Sequence, residues 1–523
     1  MQIQLSNKYQ LQLLLFFSLV YKRKDIIRNI YYLKNFLFYE NKKELAKYYF
    51  YNIFYSLPII KDKVNNEIKQ FNGNMKKELE ESQSPFKNII SPEISENGFT
   101  KNEIYDKLNN LKNVVEKKNI NYISGAIYNK NENEIELIKN ILPIFYKSNP
   151  LHPEIYPQIP FLEKTVIKSV AKLFHGNEKT VGCITSGGTE SILCACYCYK
   201  KLGEKKGIKN PEMIAPISIH AAFDKAANYF GIKLHKIPIY LDNSIDFNIL
   251  KSYINNNTIL LACSTPSYAH GLIDDVQEFS NIAKQYNIPL HVDACLGGFL
   301  LPFIEDFNIK FDFELEGVTS ISADTHKYGY TPKGSSILLY RNEEYFKNQI
   351  YVQSSWNGGI YATPTIPGSR SGNNIVFTWA FLNYYGINHY KESTKKIMKG
   401  VEYLKEKFNY IEELEIIGKP MFNVVGFKSN LINIYSLNGE LKKYGWELNE
   451  LQNPASLHYC VTLNNYETKT IDELFENIME SIKKIKSENY KDLGKSVYGS
   501  TQKINNEAIV VDLAKEYVKN LTN

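Results

Sequence analysis

At 523 residues and 60.5 kDa the chain is long enough for one large domain with smaller ones attached, so a small disulfide-stapled module is excluded. Its 62 Lys+Arg against 56 Asp+Glu leave a formal charge of only +6, too mild to indicate nucleic-acid binding. Seven cysteines, an odd number without disulfide-like spacing, point to reduced thiols facing a cytosolic compartment.

Residues 11–21, LQLLLFFSLVY, form an apolar run closed by Lys22, Arg23 and Lys24. A spanning helix needs about 20 such residues, so this run anchors rather than crosses a membrane. No small-residue cleavage site follows it. If it does insert, the basic residues behind it favour a cytosolic catalytic part. Further aromatic-rich pieces at 30–39 and 48–60 carry lysines and read as amphipathic, interface-seeking helices. The organisation expected is a membrane-associated segment over 1–60, an N-terminal arm over 61–150, a large domain over 151–385 and a smaller C-terminal α/β domain with a polar tail over 386–523.

The apolar run 180–185 predicts a strand that ends in Ser186-Gly187-Gly188-Thr189-Glu190 and a helix over 189–203. A strand, a Gly-Gly turn and a helix start aim backbone N–H groups and the helix dipole at a phosphate, although a plain capped turn would read the same. Cys194, Cys196 and Cys198 fall two apart on this helix, which scatters them over its faces and speaks against a metal site. His220 stands at the next strand-to-helix turn, where a flat imidazole could stack on a ring. The run 288–292 ends in Asp293, placed to bond a protonated ring nitrogen, with Cys295 just beyond.

Residues 318–340, VTSISADTHKYGYTPKGSSILLY, read as strand, loop and strand around His326 and Lys327. A lysine at the end of a buried strand can lose its proton through desolvation and become a nucleophilic amine. From 180 to 340 strands and helices alternate (180–185, 189–203, 213–218, 221–230, 234–240, 258–263, 276–287, 288–292, 318–323). That alternation predicts an α/β domain with a mainly parallel sheet and ligands at strand C-termini. After Thr378 come a long helical stretch, a strand over 415–427, a helix over 431–444, a strand over 457–463 and a helix over 471–485. The tail beyond Ser487 is polar with one short helix.

The set Ser186–Glu190, His220, Asp293 and Thr325-His326-Lys327 resembles the group II pyridoxal-phosphate decarboxylase superfamily of fold type I. Within it, the runs SNPLHPEIYP (148–157), HAAFDKAANYFG (220–231), STPSYAHGLID (264–274), HVDACLGGFL (291–300) and GGIYATPTIPGSRSG (358–372) resemble the sphingosine-1-phosphate lyase family. The resemblance implies pyridoxal 5′-phosphate carried on Lys327. Gly188, Thr189 and His326 would hold its phosphate, Asp293 its ring nitrogen, His220 one face, and Cys295 would lie near the other. It implies a sphingoid base 1-phosphate substrate, cleaved by a retro-aldol step to a long-chain aldehyde and phosphoethanolamine. His152, Lys333, Tyr128, Tyr361 and Arg370 are the candidates for the substrate phosphate, with Arg370 alternatively ordering its loop, and Tyr268 is a candidate for proton transfer. It further implies a homodimer, an endoplasmic reticulum anchor and no metal. An amino-acid decarboxylase of the same superfamily and an inactive membrane-linked homologue are the alternatives.

Overall fold

The computed structural model describes residues 94–522 apart from 115–117, 241–243, 306–307 and 488–506, together with scattered positions between 69 and 90. Residues 1–60, on which the membrane expectations rest, lie outside the described residues. Among the described residues no helix is long and apolar enough to cross a membrane. The chain divides into two compact units, residues 1–117 with 495–523, and residues 118–494. In the first, helix Lys101–Val114 starts at a capping box: the Thr100 N–H donates to Glu103 Oε2 at 2.7 Å and the Glu103 N–H returns to Thr100 Oγ1 at 3.3 Å. The C-terminal helix Glu507–Thr522 runs 16 residues, longer than the short one expected.

The second unit is built on seven strands: β1 (Val181–Thr185), β2 (Glu212–Pro216), β3 (Lys233–Ile237), β4 (Thr258–Ser264), β5 (Leu290–Asp293), β6 (Val318–Ala323) and β7 (Ser336–Tyr340). Their order is β1-β7-β6-β5-β4-β2-β3, and β7 alone runs against its neighbours. The expected mainly parallel sheet is therefore present. β4, TILLACS, and β6, VTSISA, are buried at every position, because helices cover both sheet faces and leave no side of the pleat in water. Along β4, Leu260 and Ala262 pack into one apolar cluster with Ile192, Cys196 and Tyr199 of helix Gly188–Lys205. Leu261 and Cys263 pack into the other with Phe174, Phe279 and Ile282. This period of two assigns each residue to a face, and all seven cysteines serve such packing as buried free thiols.

β8 (Tyr351–Trp356) and β9 (Gly359–Thr363) form an exposed hairpin that the sequence reading did not assign. Its signal was present in Asn357-Gly358, the dipeptide whose backbone suits a two-residue hairpin turn. A four-stranded antiparallel sheet, order β10-β11-β13-β12, follows: β10 (Glu415–Ile416), β11 (Val424–Lys428), β12 (Asn449–Leu451) and β13 (Ser456–Cys460). The single strand expected over 415–427 is in fact β10 and β11, separated by a turn with Gly418 at φ +64° and Pro420 beyond it. The long helix Asn373–Asn409 likewise breaks at Gly386, whose φ of 66° and ψ of 170° are non-helical.

Residues 120–128 are laced to this small sheet. Ile123 bridges Glu447, and the Ser124 hydroxyl donates to the His458 carbonyl at 3.2 Å while accepting the Cys460 N–H at 2.8 Å. That strap fixes Tyr128 against the loop after β6, its ring edge-on to Tyr328 at 4.9 Å.

Candidate active site

Because β7 is antiparallel to both β1 and β6, β1 shares the direction of β2 to β6. The C-terminal ends of β1, β2, β5 and β6 therefore open on one edge, and each carries one of the motifs. After β1, Gly187 and Gly188 begin helix Gly188–Lys205, while the Ser186 N–H and hydroxyl donate to Glu190 Oε2 at 2.7 and 2.6 Å. A Cβ at Gly188 would stand 2.7 Å from Cys295 Sγ and 2.9 Å from Asp324 Oδ1, and one at Gly187 would touch His326 at 3.4 Å. Only glycine fits at Gly188, and the bare backbone leaves the positive end of the helix open to an anion. Thr189, in the first turn, is exposed.

Lys327 follows β6, and its Nζ lies 2.9 Å from Asp324 Oδ2. Burial alone would discharge the amine, but Asp324, then Cys295 and Tyr128, outweigh it and raise its pKa. Lys327 thus differs from a lysine perturbed by desolvation alone: a buried carboxylate three residues back offsets its desolvation and favours the charged amine. Asp324 is only 3 % exposed; burial opposes its ionisation, yet Lys327 and His326 hold its pKa below the ordinary carboxylate value. Its Oδ1 is buried, with no hydrogen-bond partner among the described residues. His326 Nδ1 accepts the Ser335 N–H at 3.2 Å and Nε2 stands 3.6 Å from Asp324, with its pKa lowered chiefly by burial. The Cys295 thiol donates to Ser322 at 3.3 Å and burial pushes its pKa well up, so it acts as packing rather than as a nucleophile.

Asp293 ends β5, and its Oδ1 accepts the Cys295 N–H at 3.0 Å. Behind it the Asp274 carboxyl, fully buried, accepts the Ser264 N–H at 2.7 Å; burial, reinforced by Asp293, pushes its pKa up to about 7. His220 Nδ1 accepts the Ala222 N–H at 3.1 Å, leaving the ring flat at the turn, and Tyr268 meets it edge-on at 6.2 Å. Tyr268 is 48 % exposed and also meets His458 at 5.1 Å.

The phosphate candidates do not form one group. Lys333 Nζ lies 4.8 Å above the Tyr128 ring and 3.4 Å from the His326 carbonyl, so these two join the Lys327 loop. Its pKa is lowered by partial desolvation and then by Lys327. His152 is exposed and pairs with Glu154 at 3.1 Å. Arg370 is committed elsewhere: it grips Glu163 with bonds of 2.9 and 2.8 Å and donates to the Ile184 carbonyl at 2.7 Å. The loop-ordering role is the one this geometry supports, since no guanidinium edge can serve two carboxylate-like partners at once. Tyr361 packs against Tyr351 and Trp356 within its own hairpin.

Sequence reasoning passed over Asp324, although it stands in the quoted run three positions before the lysine. It also passed over Glu163, whose role depends on a partner far along the chain. The assembled residues suit pyridoxal phosphate. They supply a buried amine for an aldehyde, a glycine-lined helix start where a Cβ could not stand for a phosphate, a carboxylate for a ring nitrogen and a flat imidazole beside it.

Comparisons with known proteins agree with the geometry. Residues 102–430 match the family of the pyridoxal-dependent decarboxylase conserved domain. Mouse sphingosine-1-phosphate lyase 1 is 43 % identical over 401 residues, spanning 76 % of this chain and 71 % of that protein. The Drosophila melanogaster sphingosine-1-phosphate lyase is 34 % identical over 494 residues, spanning 92 % and 90 %. Among solved structures, the sphingosine-1-phosphate lyase of Burkholderia pseudomallei superposes with a TM-score of 0.72 at 32 % identity, covering 75 % of this chain and 93 % of that one.

Proposed function

This chain belongs to the sphingosine-1-phosphate lyase family, and from that premise we propose that it cleaves sphingoid base 1-phosphates into a long-chain aldehyde and phosphoethanolamine with pyridoxal phosphate. The observation that carries the reading is the half-buried Lys327 set just beyond β6 on Asp324, beside the glycine-lined helix start at Gly187 and Gly188. The decarboxylase alternative is not favoured by these relatives.

Bound cofactor supplies an aldehyde carbon for amine attachment and a cationic ring that accepts the electron pair of the breaking Cα–Cβ bond. Lys327 Nζ holds it and, once replaced by the substrate amine, is free to move protons. Gly188, Thr189 and His326 would hold the cofactor phosphate, Asp293 would pair with the ring nitrogen, His220 would stack on one face of the ring, and Cys295 would lie near the other. Lys333 and Tyr128 bind the substrate phosphate and so fix which bond of Cα stands perpendicular to the ring. Tyr268, edge-on to His220, serves in proton transfer.

We further infer a homodimer anchored to the endoplasmic reticulum membrane with its catalytic part facing the cytosol. The apolar Trp356 and Ile360, 58 % and 79 % exposed on the hairpin, support a partner surface. The apolar run at 11–21 with the basic residues after it supports the anchor.

The test is to incubate the full chain, in detergent, with pyridoxal phosphate and sphingosine 1-phosphate, and to follow both products by mass spectrometry. Glutamate and aromatic amino acids are run in parallel for carbon dioxide. Aldehyde with phosphoethanolamine is the expected result; carbon dioxide from an amino acid would overturn it.

A further inference from the structure

Asp324 is buried on the same edge as Lys327, and nothing in the cofactor assignment above uses it. Its Oδ2 lies 2.9 Å from Lys327 Nζ, and its buried Oδ1 is the atom that a Cβ at Gly188 would meet at 2.9 Å. Resting on the pyridoxal phosphate reading, the geometry points to Asp324 as the proton carrier of Lys327: it takes a proton from the ammonium so that Nζ can attack the aldehyde carbon, and delivers that proton to the aldehyde oxygen.

The step balances. Of the three protons on the ammonium, one passes through Asp324 to the oxygen, a second follows as the carbon–nitrogen double bond forms, and the third stays on nitrogen. The oxygen leaves as water, and Asp324 ends as a carboxylate beside a cationic nitrogen, as it began. No oxidant or further reactant is consumed. The same transfers run backwards whenever the lysine is released.

The other titratable groups facing this pair are poor substitutes. Cys295, beyond β5, and Tyr128, before helix Glu132–Phe145, are both held protonated by burial. His326 accepts the Ser335 N–H at Nδ1, which leaves a proton on Nε2 toward Asp324 and no lone pair toward Lys327. Lys333, in the following loop, has its Nζ turned to the Tyr128 ring and the His326 carbonyl.

The experiment strips cofactor from the purified full chain, mixes it rapidly with pyridoxal phosphate between pH 6 and 9, and follows the visible band of the lysine-bound form. In the wild type the proton transfer is internal, so the rate changes less than about threefold across this range. In Asp324→Asn the amine must lose its proton to solvent base, and the rate climbs about tenfold per pH unit. Asp324→Glu, which keeps but shifts the carboxylate, shows a flat profile at reduced rate, and this arm stands by itself if the Asn variant does not fold. Pyridoxal without its phosphate shows the same contrast. A wild-type profile in Asp324→Asn, a rising profile in Asp324→Glu, or a contrast confined to the phosphorylated aldehyde would overturn the assignment. A wild type that gives no visible band would overturn the cofactor reading itself, which separates the two failures.

Discussion

The loop around Lys327 and the loop around Arg370 hold their cations in opposite ways. Arg370 is closed: a bidentate grip on Glu163 and a bond to the Ile184 carbonyl commit both terminal nitrogens to positions that pin residues 369–372 against β1. Lys327 is open: among the described residues its amine is paired with one carboxylate, that of Asp324 three residues back. The first arrangement spends charge on fixing a loop, the second keeps it available for exchange. A motif match alone does not distinguish them, because both residues stand in runs of the same family.

The largest effect that could break this contrast is at Lys327. Lys327→Ala should lower turnover by at least about a thousandfold and remove the visible band of the bound cofactor, because both attachment and proton transfer at Nζ are gone. Turnover near the wild-type value, measured by release of the long-chain aldehyde, would sink the assignment. Asp293→Ala should cost about a hundredfold or more while leaving the band in place, since an unprotonated ring draws electrons poorly.

Arg370→Ala tests the closed loop. Leaving Glu163 without its partner should lower stability by about 2–4 kcal/mol in urea titration, and adding Glu163→Gln should recover part of that loss. Lys333→Met is the converse case. Among the described residues its amine meets the Tyr128 ring and the His326 carbonyl and no carboxylate, so stability should stay within about 0.5 kcal/mol. The KM for the phosphorylated substrate should instead rise about 10- to 100-fold, the worth of a charge-assisted phosphate contact. A destabilised Lys333→Met with unchanged KM would merge the two loops into one structural class.

What the sequence made legible follows the same division. β4 could be read because a strand buried on both faces leaves a continuous apolar stretch, and Gly188 and Asp293 could be placed because each follows a short strand-like run. Asp324 was visible as a letter but not as the partner of Lys327, since only the local turn after β6 brings an acid three residues back onto Nζ. Glu163 lies 207 residues from Arg370, and no local pattern announces that pairing. The strap from Ser124 to Cys460, 336 residues apart, was hidden for the same reason. The β8–β9 hairpin was missed differently: its strands are exposed and lack the apolar alternation that marks a half-buried strand, leaving Asn357-Gly358 as the signal.

The smallest effect expected concerns groups that neither loop contains, and it turns on sign. His291, held between Ser320 and Ser322, and His458, held at the Ala269 carbonyl, are both pushed by burial down to about 4. Each is neutral in the fold and charged when unfolded between about pH 4 and 6.5, so its contribution to stability is complete above about pH 6.5 and is lost as pH falls. At pH 5 the loss is about 2 kcal/mol for each. Asp274, raised to about 7, works in reverse: the fold keeps its proton while the unfolded chain gives it up, so stability declines as pH rises from about 4 to 7. Two histidines against one carboxyl leave a net release of about one proton on folding, or about 1.4 kcal/mol of added stability per pH unit within that window. His458→Gln should flatten this slope and Asp274→Asn should steepen it, read from urea midpoints at half-unit steps. Equal slopes in all three proteins would mean that the open edge of the large sheet admits enough water to erase the burial on which both shifts depend.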